Sequence, residues 1–181
     1  MRDDGLPRQS PTIEPGQIWL VEHDPAELSL LDRAVLSGAN VVLYDRALGP
    51  VLAQSLPLGA YAEPLPPTFA AAAPAIAPRA LDFAAEGWSV VQLVAAGPAW
   101  RARLPILPPR LNRAHREAGL PVQVSTKDAH GRAHDIDSSV EELAELLRGY
   151  GSDERLTLVF GPLVAHRATP AHAFTANGLA G

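Results

Sequence analysis

The chain has no cysteine among its 181 residues. Disulfides, thiolate metal sites and a cysteine nucleophile are therefore excluded. It also lacks any basic run. Fifteen Lys and Arg stand against 20 Asp and Glu, a net charge of −5, and the arginines are scattered. The electrostatic footprint of a nucleic-acid binder is absent, so no nucleic-acid partner is expected. No apolar run approaches a membrane span, and the opening MRDDGLPRQSPTIEPG has no hydrophobic signal core. No membrane partner is expected, and a cytoplasmic location is the default. A more local absence concerns Glu22-His23-Asp24-Pro25-Ala26-Glu27, which follows a first buried strand and contains no glycine. In α/β proteins that loop usually meets the ligand, and close backbone approach favours glycine.

What the chain does have is proline and an alternation of strand-like and helix-like segments. Its 18 prolines cluster in PLPP, PAIAP and PILPP, which break helices and mark connections. Gln17–Val21 reads as a strand buried on both faces, and Asn40–Tyr44 as the next. Between them, residues 26–38 carry Leu28, Leu31, Val35 and Leu36 at helical spacing. Asp24 is the expected N-cap, Pro25 the first helical residue, and Gly38 the stop. Farther on, the pattern predicts a helix over 76–86 closed by Gly87 and a strand over 88–93. A proline linker at 105–109 leads to a short charged helix at 110–119. A strand over 121–125, a helix over 139–151 capped by Ser139 and Glu142, and a strand over 156–160 follow. The alternation predicts an α/β fold with mostly parallel sheets.

Each group that could carry chemistry has a plainer alternative. Three acidic side chains in the 22–27 loop oppose a phosphate and suit a non-phosphorylated or cationic ligand; otherwise they are solvated acids around a helix cap. His130, His134, Asp135 and Asp137 invite a metal. Gly131 and the local alternation, however, suggest a turn or strand, where the two histidines share no helical face, so no metal site is expected. Ser125-Thr126-Lys127-Asp128 has no nucleophile elbow around it, and no catalytic residue is assigned. Trp19 and Trp88 are expected to pack at strand edges, and Trp100, after Gly97-Pro98, either packs or lines a ligand cleft.

Taken together, the segments resemble the tetrapyrrole methylase family. Its members open with a glycine and a strand of the type VxLVGAGPGD, then a helix starting LLT, then ADVVLYDRLV. Here Gly16–Val21, Pro25, Leu30-Leu31 and Ala39–Arg46 fall in that order. The family's VVRLKGGDPFIFGR resembles residues 90–103, and its closing LLVIGEVVxLR resembles 156–167. The family's VPGVTS loop has no counterpart here, and little matches over 105–120. The resemblance implies a fold of two small α/β subdomains, the second truncated. Residues 1–15 form a flexible arm, 16–104 the first subdomain, 105–120 a linker with a short helix, 121–167 the reduced second subdomain, and 168–181 a tail.

The resemblance also implies S-adenosylmethionine in a cleft between the subdomains, a tetrapyrrole ligand and a homodimer. On this basis Pro25, Gly97, Pro98 and Thr126 are the cofactor-binding candidates, and Tyr44, Asp45, Arg46 and Trp100 the substrate-cleft candidates. The chain departs from the family at both cofactor loops. GAGPGD is EHDPAE, and GGDPF is AAGPA, which keeps only Pro98 of the motif. Cβ atoms where a backbone must touch a ligand obstruct it. The expectation is a methylase-like protein whose methyl transfer is weakened or lost and which serves as a binding scaffold, with an active methyltransferase as the alternative.

Overall fold

The computed structural model of the protein describes residues 12–23, 28–66, 74–104, 121–127, 133–140, 142–150 and 155–163. The strands are β1 (Ile18–His23), β2 (Val41–Tyr44), β3 (Tyr61–Pro64), β4 (Val90–Ala95), β5 (Pro121–Lys127), β6 (Ala133–Ser139) and β7 (Arg155–Phe160). They form one seven-stranded sheet in the order β3-β2-β4-β1-β7-β5-β6. β1 pairs with β4 in parallel, and β2 lies parallel to both β4 and β3. β7 joins β1 antiparallel and β5 antiparallel, so β5 runs with β1. β6 pairs antiparallel with β5. Five strands thus share one direction, and the sheet is a mostly parallel α/β sheet with an antiparallel extension. Strands from 16–104 and from 121–167 belong to this one sheet, joined at the β1–β7 seam.

Continuous apolar runs explain the centre. The runs IWLV, VVL and VVQLV in β1, β2 and β4 carry no polar side chain except Gln92, so both faces of the sheet centre must be covered. Ile18, Leu20, Val90, Val94 and Phe160 pack on one face with Ile76, Ala80 and Leu81 of α3 (Pro78–Ala85). Val21, Val42, Val91 and Leu93 pack on the other with Val35 and Leu36 of α1 (Leu30–Ser37) and Leu52 of α2 (Gly49–Leu52). The remaining short helices are α4 (Pro98–Arg101) and α5 (Leu143–Leu146).

Several boundaries move from their expected places for definable reasons. α1 starts at Leu30 because Ser29 caps it. The Ser29 Oγ accepts the Asp32 N–H at 3.2 Å and the Asp32 carboxylate accepts the Ser29 N–H at 2.8 Å, a reciprocal capping box. Asp24, Pro25 and Glu27, expected to open this helix, lie outside the described residues, as do the linker and helix expected over 105–119. β4 begins two residues later than expected, because Gly87 turns with φ at 97° and leaves Trp88 in the turn. Trp88 is accordingly 47% exposed rather than packed, its indole N–H donating to Glu86 at 3.2 Å. β3 was not anticipated, since its Pro64 reads as a loop residue, but it is an edge strand, where proline is tolerated. The 139–151 helix is reduced to α5 and a 3-10 turn at Leu147–Gly149, although the Ser139 Oγ does accept the Glu142 N–H at 3.3 Å.

Candidate functional site

The carboxyl ends of β1, β2 and β4 lie side by side, the place where parallel α/β sheets collect ligand-facing groups. A cleft of about 310 Å³ opens there, lined by Asp45, Arg46, Leu65, Gln92, Trp100 and Arg103 among others. Each wall follows from local structure. β2 ends at Tyr44, and the Asp45 carboxylate accepts the Ala47 N–H at 3.1 Å, which starts a 3-10 turn (Arg46–Leu48) and places Asp45 and Arg46 at the rim. Gln92 is the lone polar residue inside β4 and is fully buried. Its Oε1 accepts the Ala77 N–H at 2.9 Å and its Nε2 donates to the Ala75 carbonyl at 2.7 Å, which fastens the segment before α3 against the sheet. Both polar ends are satisfied, as a buried amide requires.

Trp100 sits in α4 and is 3% exposed, not in an open loop. Its indole Nε1 lies buried without a hydrogen-bond partner in the cleft wall, an unfulfilled donor at the site. Arg103 lines the same wall. Burial pulls its guanidinium below the usual arginine range, and the facing Asp45 carboxylate opposes that pull.

Glu22 is the central ionic group. It lies one residue past the end of the β1–β7 ladder, on the same face as Ile18 and Leu20, and its side chain is fully buried. Oε1 accepts the Arg101 Nε–H at 2.9 Å and the Gly97 N–H at 3.2 Å. Oε2 accepts an Arg101 Nη2–H at 2.6 Å and the Leu156 N–H at 3.2 Å. The expectation of solvated acids thus fails for Glu22, since a carboxylate emerging from a central strand is desolvated and demands partners. The cation for this loop is the chain's own Arg101.

On the opposite face His23, fully buried, has its Nδ1 3.1 Å from the Asp32 carboxylate, while its Nε2 has no partner. Burial alone would raise the Asp32 carboxyl. The hydrogen bond to His23 and those with Ser29 outweigh it and hold the group below its ordinary range.

The candidates read from the sequence therefore separate. Asp45, Arg46 and Trp100 line one cleft. Tyr44 packs with the Val42 and Leu48 cluster on the other face. Gly97 and Pro98 lie where β4 enters α4, beside the Glu22–Arg101 pair. Thr126 is buried in β5, in register with Leu156 of β7. Pro25 lies outside the described residues. His134, Asp135 and Asp137 fall in the edge strand β6 and are exposed, and His130 is outside the described residues. Asp135 accepts from the Ser125 hydroxyl at 2.6 Å, and among the described residues no His, Asp and Glu gather as a metal-holding group. Glu22 was read beforehand only as one of three loop acids, and its pairing with Arg101 was not foreseen; Gln92 and Arg103 were not singled out. A charged or amide side chain inside an apolar strand run, as in IWLVEH and VVQLV, was the signal for two of them.

No protein-family model matches the chain, and no curated protein matches it. Solved structures do. A cobalamin biosynthetic enzyme, cobalt precorrin-4 methyltransferase, is similar with a TM-score of 0.34 and 15% identity, over 81% of this chain and 95% of that one. Uroporphyrin-III-C-methyltransferase from Thermus thermophilus is similar with a TM-score of 0.33 and 20% identity, over 82% and 93%. Both neighbours are named as methyltransferases.

Proposed function

We propose that this chain is a divergent relative of uroporphyrinogen-III C-methyltransferase in which S-adenosylmethionine-dependent methyl transfer is weakened or lost, and which acts as a binding scaffold. The observation that carries the reading is the Glu22 carboxylate. The sequence resemblance assigns the loop at Gly97 to the cofactor, whose contacts in the family come largely from backbone groups. Here the Gly97 N–H is already spent on Glu22 at 3.2 Å, and Arg101 is held in the same ion pair. A cofactor would have to break a buried, bidentate pair to reach that amide, and opening such a pair without replacing it costs about 3–5 kcal/mol. The residues present do not fit the cradle the resemblance implies.

The cleft itself keeps a ligand-binding character. Arg46, Arg103 and the unpaired Trp100 N–H offer donors to an acidic or carbonyl-bearing molecule, such as the tetrapyrrole that the resemblance implies. These cleft donors also suit a second reading, an active methyltransferase on a tetrapyrrole in the sirohaem or cobalamin direction. A cytoplasmic homodimer suits either reading.

Calorimetric titration of the folded protein with S-adenosylmethionine and with S-adenosylhomocysteine separates them. The expected result is no heat of binding up to millimolar ligand. Micromolar binding of either compound overturns the scaffold reading in favour of the enzyme.

A further inference from the structure

Glu22 is enclosed the way a bound ligand is. Its two oxygens are each met by one guanidinium N–H and one backbone N–H, at distances of 2.6–3.2 Å, from Arg101, Gly97 and Leu156. These donors come from α4, the β4–α4 connection and β7, three elements that Glu22 itself does not belong to. We propose that Arg101 and the N–H groups of Gly97 and Leu156 constitute a carboxylate-binding site that the chain fills with its own side chain, and that takes a small planar monocarboxylate when Glu22 is removed. The proposal rests on the reading above, in which this loop has exchanged an outside ligand for an internal one.

The backbone at each donor residue is held by bonds that do not involve Glu22. The residue before Gly97 is fixed by the Ala96 N–H, which donates to the His23 carbonyl at 2.8 Å. Leu156 is set by the β5–β7 ladder, opposite Thr126. The Arg101 N–H returns to the Gly97 carbonyl at 3.3 Å, so both ends of α4 are tied to the same turn. Donors that are already positioned bind an incoming anion with little ordering cost.

Removing the carboxylate takes away the acceptor that the Arg101 fork, the Gly97 N–H and the buried Leu156 N–H share, and an anion restores it. Its shape selects among anions. A guanidinium fork matches two oxygens in one plane, and the two backbone donors fall one on each oxygen. A halide offers a single point and cannot span the fork. Glu22→Ala deletes the Cγ and the carboxyl group and keeps Cβ, so the missing atoms are those of an acetate ion.

The test compares Glu22→Ala with the wild type in sodium acetate and in sodium chloride at equal ionic strength. Thermal midpoints are recorded together with the line width of ¹³C-labelled acetate. The expected result is a saturable rise in midpoint with acetate for Glu22→Ala, with broadening of the acetate signal, and neither effect in the wild type. Adding Arg101→Leu to Glu22→Ala should abolish both. Should Glu22→Ala be unfolded in chloride, folding should return in acetate, read by circular dichroism. A variant that stays unfolded in both salts overturns the proposal. So does a midpoint that rises equally in chloride, or a wild type that responds as the variant does. A wild type that binds S-adenosylmethionine defeats the scaffold reading and leaves the acetate response standing. A flat acetate response beside a silent cofactor titration defeats this proposal alone.

Discussion

Asp32 serves two polar partners with one carboxylate. The same Oδ2 that accepts the Ser29 N–H at 2.8 Å lies 3.1 Å from the His23 ring. One residue therefore caps α1 and pairs the histidine at the end of β1. Its carboxyl is held below the ordinary value in the folded protein, so it contributes stability that is present above the unfolded pKa, about 3.9. That contribution is lost as the pH falls through the lower, folded value. Urea unfolding of wild type and Asp32→Asn between pH 2.5 and 7 checks this. The variant should be less stable at pH 7 by about 1–2 kcal/mol and should lose less on acidification. An equal acid slope in both proteins would remove Asp32 as a source of it. At this scale the sequence was least legible. Ser29 and Asp32 satisfy the capping pattern no worse than Asp24 and Glu27 did, and local spacing alone does not rank two adjacent capping signals. The burial of Glu22 was hidden for a different reason. Its donors come from residues 97, 101 and 156, and no local pattern brings these to residue 22.

At the scale of elements, the antiparallel extension depends on how closely two backbones approach. The Gly161 N–H donates to the Pro121 carbonyl at 3.0 Å, and a Cβ built on Gly161 would stand 2.9 Å from the Pro121 ring. Gly161→Ala should therefore push β5 away from the end of β7 and cost about 1–3 kcal/mol of overpacking, read as a lower urea midpoint with an unchanged m-value. A midpoint equal to the wild type would mean that the seam relaxes freely. Gly97 makes an instructive contrast, because a Cβ there meets nothing within 4 Å. The fold does not need that glycine for space. Strands were the elements most readily read from sequence, because IWLV, VVL and LTLVF are apolar runs that fit only the centre of a sheet. β3 and β6 were harder, since an edge strand can carry proline or charges without penalty, as at Pro64, Asp135 and Asp137.

For the whole molecule, the sheet order puts β4 and β1 at the middle and β3 and β6 at the edges. Both central strands are buried almost throughout, whereas Tyr61 and Pro64 of β3 and residues 134–137 of β6 are exposed. Native-state hydrogen exchange should give the slowest amides in β1 and β4 and the fastest strand amides in β3 and β6. Comparable protection across all seven strands would contradict the sheet order. The α/β class was legible because alternation of apolar strands with helical segments is a global property of the chain. The antiparallel arrival of β7 beside β1 was not, since an apolar strand has the same pattern whichever way it runs.

The position of β1 between β4 and β7 also sets an order of events during synthesis. Glu22 is made before all of its partners, which lie 75, 79 and 134 residues later in the chain. Until Arg101 emerges, the nascent chain holds an unpaired carboxylate on a strand meant for the interior, and the Leu156 N–H completes its shell later. The edge of β1 that β7 covers thus stays open until β7 is delivered, as long-range strand pairing requires.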